Sequence, residues 1–229
     1  YHSDAFNFFA ENGAEISPDK FLDQGDFNIN QYFDIEHISD DHLKSKMPLI
    51  TLGGDHAITY PILKAFYKQY GPLEILHIDA HADLYDSFEG DPYSHACPFA
   101  RIMEDKLASR LVQVGIRTLS DHQREQADRF GVEIIEMKDY SLRKLPQFKG
   151  PLYLSLDLDA LDPAFAPGIS HHEPGGFSSR QVLEIIQHIK APLVGADLVE
   201  FNPERDVNGQ TAAVCAKLLK EIAARMLDS

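Results

Sequence analysis

Short apolar runs that end in acidic or histidine residues constrain the fold of this chain more than any other feature. Three such runs lead into Gly53-Gly54-Asp55-His56, Asp79-Ala80-His81-Ala82-Asp83 and Asp157-Leu158-Asp159. A short apolar run bounded by turn residues is typical of a buried strand. We therefore predict three buried strands that carry metal-binding or catalytic side chains just beyond their carboxyl ends.

Helical patterns alternate with the predicted strands along the chain. We expect strands over 48–52, 73–78, 111–116, 132–135, 151–156 and 192–197, and helices over 60–70, 99–107, 121–130, 179–189 and 211–227. Ser120 with Gln123 and Ser178 with Gln181 form capping-box patterns, and Thr59 is a further candidate N-cap. Residues 1–30 are expected to be irregular, and 32–47 to form a short polar segment.

The alternation of strands and helices predicts an α/β fold. The expected architecture is a single domain over residues 1–229, with a central parallel sheet between two helical layers in a three-layer α/β/α arrangement. Binding sites in such sheets form outside the carboxyl ends of the strands. The acidic and histidine motifs all fall at those ends, so the fold and the candidate site support each other.

Alternate spacing suggests that these side chains converge. In an extended segment, residues two positions apart share one side, so Asp79, His81 and Asp83 are expected to meet at one point, with His77 facing the other way. The motif that ends in Asp159 repeats the pattern, and His56 adds a second imidazole. Four carboxylates and two imidazoles exceed the needs of one tetrahedral zinc, so we expect two divalent ions.

Charge and composition limit the partners. The net charge of -15 repels nucleic-acid phosphates and favours a cationic substrate, and we expect no nucleic-acid partner. Apolar runs are too short to span a bilayer, so no membrane partner is expected either. Two cysteines, Cys97 and Cys215, are too few for a disulfide framework, which fits a reducing, cytoplasmic location.

Together with Ser155-Leu-Asp-Leu-Asp-Ala-Leu-Asp-Pro163, the three motifs resemble the ureohydrolase family, the arginase and agmatinase group. The resemblance covers residues 48–227 and implies a hydrolase that uses two Mn²⁺ ions to release urea from a small cationic guanidino substrate. The implied metal ligands are His56, Asp79, His81, Asp83, Asp157 and Asp159. Asp83 would also contact the attacking hydroxide. An oxygen-dominated ligand set suits Mn²⁺, although iron, cobalt and zinc remain open.

Two further motifs carry implied catalytic roles. Ser94-His95-Ala96-Cys97-Pro98 resembles a family loop whose histidine protonates the departing amine, and it leaves Cys97 as an alternative nucleophile assisted by His95. Asp197-Leu-Val-Glu200-Phe-Asn-Pro203 resembles a motif whose glutamate pairs with the substrate guanidinium. A carboxylate matches that planar group with two parallel hydrogen bonds.

The loop before residue 177 bears on the substrate. It keeps the Glu173-Pro174-Gly175-Gly176 signature of agmatinases but replaces the preceding residues with Ile169-Ser170-His171-His172. We expect agmatine as substrate, with urea and putrescine, a polyamine, as products, and we expect Glu173 and His172 to contact it beside His95 and Glu200. Guanidinobutyrate, arginine and guanidine remain open as substrates, as does a pocket role for His171.

The family resemblance also implies features outside these motifs. The opening strand and glycine-rich first loop of the family are not found before Tyr1, so we expect that strand and loop to be absent. Family members assemble as trimers or hexamers, which implies a homo-oligomer. Two other classes remain open: a deacetylase of similar fold with one zinc ion, and a non-catalytic sensor of guanidino ligands. Metal stoichiometry and urea release distinguish them.

Overall fold

Six parallel strands form one central sheet. The computed structural model describes residues 7–228, so the first six residues of the predicted irregular opening lie outside the described part. The strands are β1 (Leu49–Leu52), β2 (Leu73–Ile78), β3 (Ala108–Ile116), β4 (Glu133–Glu136), β5 (Leu152–Asp157) and β6 (Leu193–Val199). Their order across the sheet is β1-β6-β5-β2-β3-β4, with every pairing parallel. The predicted strands are confirmed to within a few residues.

Six α-helices connect the strands or flank them among the described residues. They are α1 (Asp34–Leu43), α2 (Thr59–Tyr70), α3 (Pro98–Glu104), α4 (Asp121–Phe130), α5 (Ser179–His188) and α6 (Gln210–Leu227). Capping boxes at Ser120 with Gln123 and at Ser178 with Gln181 begin α4 and α5, as predicted. The longest helix, α6, is not apolar enough to cross a membrane, and neither is any other helix in the described range.

Two expectations about the first third of the chain are wrong. The segment expected to be short and polar contains helix α1. Its buried residues are Ser39 and Leu43, so the helix has no continuous apolar face that the sequence pattern could reveal. Thr59 does not cap α2; it is the first helical residue, and its Oγ1 atom donates to Asp197 Oδ2 at 2.9 Å. A tertiary contact therefore replaced the local cap.

Helices cover both faces of the sheet. On one face, α5 and α6 contribute Ile186 and Ile222 to a core that includes Leu154 of β5. On the other face, Phe66 of α2 belongs to a second core that includes Tyr153 of the same strand. Adjacent residues of β5 enter opposite cores because side chains alternate along a strand. This confirms the predicted three-layer arrangement.

The strand register brings four strand ends to one edge. Ile78 of β2 pairs with Leu156 of β5, and Asp157 pairs with Val199 of β6. On the far side of β6, Leu52 of β1 pairs with Leu198. The segments that follow these four strands therefore leave the sheet side by side, and they carry the acidic and histidine motifs.

Candidate active site

Carboxylates and imidazoles gather at this edge around His56. Its Nδ1 atom lies 3.3 Å from an oxygen of Asp79 and 3.2 Å from an oxygen of Asp83. The same nitrogen lies 3.1 Å from Asp157 Oδ2. All four side chains are nearly or fully buried. Three strand ends thus contribute to one compact cluster.

A second cluster shares Asp79 with the first. His81 Nδ1 lies 2.9 Å from Asp159 Oδ2 and 3.5 Å from Asp79 Oδ1. The potential ligand atoms of these three residues all lie within 4.8 Å of one another. A carboxylate shared by two adjacent clusters is what a pair of bridged divalent ions requires. The structure therefore brings together all six residues that the sequence predicted as metal ligands.

The chain reaches this arrangement by turning. The expected convergence of Asp79, His81 and Asp83 is observed, but the expected cause, a chain that stays extended, is wrong. Strand β2 ends at Ile78, and the backbone N–H of His81 then donates to Asp79 Oδ1 at 2.6 Å. Asp83 has a left-handed backbone with φ of 50°, a conformation that few residues other than glycine adopt. Its side chain is thereby returned toward His56.

The structure contradicts the expectation that His77 faces away from these residues. Its Nε2 atom lies 2.7 Å from Asp79 Oδ2, and both side chains are fully buried. His77 and Asp79 are two positions apart at the end of a strand, so they share one side of the sheet. The alternation of side chains along a strand therefore places His77 in the cluster, and the expectation that it faces away is wrong.

Hydrogen bonds behind His56 fix its orientation. Asp197, in β6, accepts hydrogen bonds from Thr59 Oγ1, from Tyr153 OH at 2.8 Å and from Ser155 Oγ at 2.7 Å. Because Ser155 uses its hydroxyl proton on Asp197, it can only accept from His56 Nε2, which lies 2.9 Å away.

Burial lowers the pKa of His56, but Asp157, Asp79 and Asp83 outweigh it and raise the value well above its usual range, so without metal a proton also lies on Nδ1. A cation that displaces this proton would find the Nδ1 lone pair directed at it, since Nε2 keeps its proton for Ser155.

The cluster fits a cation. His56 Nδ1 is buried and makes no hydrogen bond of normal geometry within the described residues, although three carboxylate oxygens lie within 3.3 Å. Neighbouring ligands about 2.1 to 2.2 Å from one ion are separated by about 3 Å, which matches this spacing. The donor set of imidazole nitrogens and carboxylate oxygens suits a divalent transition metal.

Burial and charge shift the titration of the cluster. Burial, reinforced by the charges of Asp159 and Asp79, raises the pKa of Asp157 well above its usual range. Burial and the charge of Asp79 raise the pKa of Asp159 to about 7. Burial lowers the pKa of His81, but hydrogen bonds to Asp159 and Asp79 outweigh it and raise the value to about 12. Such a concentration of negative charge favours cations, whether protons or metal ions.

A cavity of about 240 Å³ opens above the cluster. Its walls combine cluster residues with neutral polar and aromatic groups. The lining residues are His56, His81, Asp83, Tyr85, Phe88, His95, Ala96, Thr118, Gln123, Asp157, Asp159, His171 and Glu200. The volume suits a small molecule, and no Lys or Arg side chain of the described residues is part of the lining.

His95 and Glu200 both line this cavity, and they belong to different loops. Glu200 follows β6 in a left-handed conformation with φ of 64°, and one of its carboxylate oxygens accepts from the backbone N–H of His56 at 2.9 Å. Burial raises the pKa of Glu200. The His95 ring packs against Phe88 at 5.7 Å and lies 4.0 Å from Asp55 Oδ2. Both side chains line the cavity and can reach a bound ligand.

In the loop before residue 177, the structure puts His171 against the cavity. Its ring stacks on the His95 ring with centroids 5.3 Å apart, and its centroid lies 5.9 Å from that of the His81 ring. His172 is exposed, with Nε2 2.9 Å from the Pro167 carbonyl oxygen, and neither it nor Glu173 lines the cavity. The predicted substrate contacts of His172 and Glu173 therefore have no support in this geometry.

Arg117 was missed by the sequence analysis and braces that loop. Its guanidinium donates to the carbonyl oxygens of Glu173 at 2.9 Å and Asp159 at 2.8 Å. Ser155 and Asp197 were also missed, although both lie inside quoted motifs. Ser155 is two positions before Asp157 on the same strand, so alternation placed it beside the cluster. No sequence signal pointed to Arg117.

The fold and the paired clusters define an α/β protein whose sheet edge carries His and Asp groups that could hold two metal ions. A model of the Arginase family matches residues 8–224. "Arginase 1, mitochondrial" of Arabidopsis thaliana is 47% identical, over 96% of this chain and 71% of its own length. "Agmatinase, mitochondrial" of Gallus gallus is 37% identical, over 87% of this chain and 65% of its own length. The solved arginase from Medicago truncatula superposes with a TM-score of 0.87 at 38% identity, covering 98% of this chain and 77% of that chain.

The chain belongs to the arginase family, the ureohydrolases that the motifs resembled. Its fold is the arginase-like fold of the solved relative. Relatives named arginase match at higher identity than the relative named agmatinase, so the expectation of agmatine as the substrate is not confirmed.

Proposed function

We propose that this chain hydrolyses the guanidinium group of arginine, with two Mn²⁺ ions bound at the shared clusters, to release urea. The observation that carries the proposal is the sharing of Asp79 between a cluster around His56 and a cluster around His81, directly beneath the cavity that Glu200 lines. The oxygen-rich ligand set, with two imidazoles, favours Mn²⁺ over softer or strictly tetrahedral ions.

The metal ions would be held by His56, Asp79, His81, Asp83, Asp157 and Asp159. When bound, they lower the pKa of a water molecule and so supply a nucleophile at neutral pH. The remaining work falls to the protein. Glu200 keeps one oxygen on the His56 backbone N–H, which holds its carboxylate in place to pair with the substrate guanidinium.

His95 supplies the proton that the leaving amine needs. Cleavage of the guanidinium C–N bond expels an amine, which is a poor leaving group unless it is protonated as the bond breaks. An imidazole at the cavity wall can deliver that proton. Stacking on His171 and an edge-to-face contact with Phe88 hold the His95 ring in place. Substituting His95 with Asn should therefore lower kcat much more than it changes KM.

Two substrates deserve direct comparison. Arginine is favoured by the relatives named arginase. Agmatine is the second candidate because the cavity lining has no Lys or Arg side chain in the described residues to pair with the carboxylate of arginine. If arginine is the substrate, its carboxylate needs neutral donors, and the hydroxyl groups of Thr118 and Tyr85 in the lining can serve only by giving up their hydrogen bonds to the Ala80 carbonyl oxygen and to Ser120 Oγ.

The test is urea release from Mn²⁺-loaded protein with arginine, agmatine, guanidinobutyrate and guanidine in parallel. We expect kcat/KM to be highest for arginine. A preference for agmatine would retain the reaction and replace the substrate. Absence of urea from all four, with two ions bound per chain, would contradict the proposed function and favour a sensor, whereas one zinc ion per chain would favour a deacetylase-like enzyme.

For site residues, Asp83→Asn and Asp157→Asn should abolish turnover and weaken metal binding, because each removes a charge from the cluster. Glu200→Gln should raise KM and lower kcat while both metal ions stay bound, since Glu200 contacts the His56 backbone and not the side-chain cluster. Near-normal activity in both aspartate variants would contradict the proposed metal site.

A further inference from the structure

His77 is fully buried beside the candidate metal site, and no step of the proposed reaction uses it. The ring stacks on Phe99 with centroids 3.9 Å apart and planes at 25°. Its Nε2 atom lies 2.7 Å from Asp79 Oδ2, and its Nδ1 atom lies 3.0 Å from Gln113 Nε2. Both ring nitrogens therefore have partners, in a part of the core where a polar group without a partner is costly.

The backbone carbonyl of Ala82 determines how the side-chain amide of Gln113 is oriented toward His77. Gln113, in β3, is fully buried, and its Nε2 atom lies 2.6 Å from the Ala82 carbonyl oxygen. A carbonyl oxygen can only accept, so the amide of Gln113 must present its nitrogen on this side. That NH₂ group has a second proton, which points to His77 Nδ1.

The tautomer of His77 follows. Because Nδ1 accepts from Gln113, the neutral ring carries its proton on Nε2, and this proton can only go to Asp79 Oδ2. Asp79 belongs to both clusters. Gln113 thus donates to the Ala82 carbonyl oxygen and to His77, and His77 in turn donates to Asp79, the carboxylate that both clusters share.

We propose that His77 is a positioning residue that aims and anchors the shared carboxylate of Asp79, and that Gln113 acts by fixing the tautomer of His77. The proposal rests on the proposed function insofar as Asp79 binds metal there. Hydrogen-bonded partners behind a ligand orient it, and their loss typically weakens metal binding about 10-fold to 100-fold.

A competing assignment makes His77 a metal ligand, since its ring lies within reach of His56, Asp79 and Asp83. The geometry opposes it. To bind a metal, Nε2 would have to lose the proton that it donates to Asp79, and the neutral ring would then carry its proton on Nδ1. Nδ1 cannot carry a proton there because it faces the NH₂ group of Gln113, which is itself a donor. His77 serves Asp79 only as a donor.

The experiment measures Mn²⁺ binding by isothermal titration calorimetry and metal content after dialysis, on the whole chain. In His77→Leu the donor is lost, and we expect affinity for at least one ion to fall about 10-fold to 100-fold. In His77→Gln the side-chain amide reaches about as far as Nε2 and keeps an N–H for Asp79, so we expect affinity within about 3-fold of the parent protein. Gln113→Leu should weaken binding less than His77→Leu.

The double variant tests the coupling. If Gln113 acts only through His77, adding Gln113→Leu to His77→Leu should weaken metal binding no further, so the two effects should not add. The matched control is His188→Leu, because the His188 ring also pairs with a glutamine side chain, Gln147, but at the end of α5. This control should leave metal binding unchanged.

Three outcomes would overturn the proposal. The first is unchanged metal affinity in His77→Leu. The second is complete loss of one ion in His77→Gln together with normal binding in Gln113→Leu, which would make His77 a ligand. The third is fully additive effects in the double variant. If circular dichroism shows that His77→Leu does not fold, Gln113→Leu becomes the test, and unchanged metal affinity in that variant would contradict the proposal. Failure of the proposed function differs, because the parent protein itself would then bind no metal pair or release no urea.

Discussion

Cys97 lies two residues after His95, which left a thiol nucleophile as an alternative to metal-assisted hydrolysis. The structure removes the chemical basis for that alternative. Cys97 is buried at the start of α3, its Sγ atom faces the Asp91 carbonyl oxygen at 3.7 Å, and it does not line the cavity. Burial raises its pKa to about 11, so the thiol stays protonated near neutral pH and is a poor nucleophile.

We predict that Cys97→Ala keeps kcat/KM within about 3-fold of the parent protein, because a protonated thiol outside the cavity contributes only packing. Iodoacetamide at pH 8 should label Cys97 slowly in the folded protein and rapidly in urea. Steady-state urea release and mass spectrometry of the labelled peptide are the measurements. Loss of activity in a folded Cys97→Ala variant would revive the thiol mechanism.

At the level of single residues, the sequence predicted the cluster but not the groups that orient it. The strand-end motifs carried the ligands because a parallel sheet brings its carboxyl ends to one edge. Ser155 and Gln113 act through buried hydrogen bonds to neighbouring strands, and such contacts depend on register. The alternation of side chains along β2 places His77 on the same side as Asp79, so its position could be predicted from the sequence, and the expected opposite orientation is wrong.

At the level of elements, local signals succeeded where they were strong. Both capping boxes begin helices at the predicted residues, because each satisfies backbone donors within four residues of chain. The ends of α3 and the existence of α1 were less predictable. Helix α3 ends at Glu104, three residues before the predicted end, and the chain then continues into β3. The neighbouring elements, and not local propensity, set that boundary.

The capping box of α5 gives a prediction about stability. Ser178 Oγ accepts from the backbone N–H of Gln181 at 3.3 Å, so Ser178→Ala should lower the free energy of unfolding by about 1 kcal/mol. For a domain of this size that is a fall in Tm of about 2 to 4 °C. Differential scanning calorimetry measures it. Metal affinity and kcat should not change, and Ser178→Asp, which also caps helices, should restore most of the loss.

The loop before residue 177 gives a prediction about function. Arg117 joins the carbonyl oxygens of Glu173 and Asp159, so it holds the His171 loop against the turn that carries a predicted metal ligand. A lysine ammonium cannot span these acceptors as the guanidinium does. Arg117→Lys should therefore lower kcat/KM about 10-fold, and lower the free energy of unfolding by about 2 kcal/mol, since hydrogen bonds to charged groups contribute about 1.5 to 3 kcal/mol.

The matched control for that variant is Arg124→Lys. Arg124 pairs with Glu136 at 3.1 Å on the surface, where an ion pair contributes little. Steady-state kinetics and urea denaturation compare the two arginines. Equal effects of both substitutions would mean that Arg117 has no special role in supporting the cavity.

At the level of the whole molecule, surplus acidity and the candidate metal site belong to one electrostatic problem. The chain carries a net charge of -15. Three buried carboxylates of the site lie within 3.3 Å of His56 Nδ1, and a fourth lies 2.9 Å from His81 Nδ1. Buried like charges destabilise a fold unless cations compensate them. Divalent ions would therefore stabilise the folded chain as well as supply chemistry, and their removal with a chelator should lower Tm.

The same charges predict how metal binding depends on pH. Without metal, Asp159, whose pKa is raised to about 7, holds a proton below that pH, and His81, with a pKa of about 12, is an imidazolium throughout the neutral range. Metal must displace these protons, so affinity should fall as pH drops through 7 and rise above it, by about 10-fold per pH unit for each proton released. Titration calorimetry in buffers of different ionisation enthalpy counts the protons, and we expect more than one per pair of ions at pH 7, because His81 releases one and the raised pKa values of Asp159 and Asp157 add to the count. In Asp159→Asn the proton released by Asp159 should disappear from the count. A metal affinity of the parent protein that does not depend on pH would mean that the metal ions bind elsewhere.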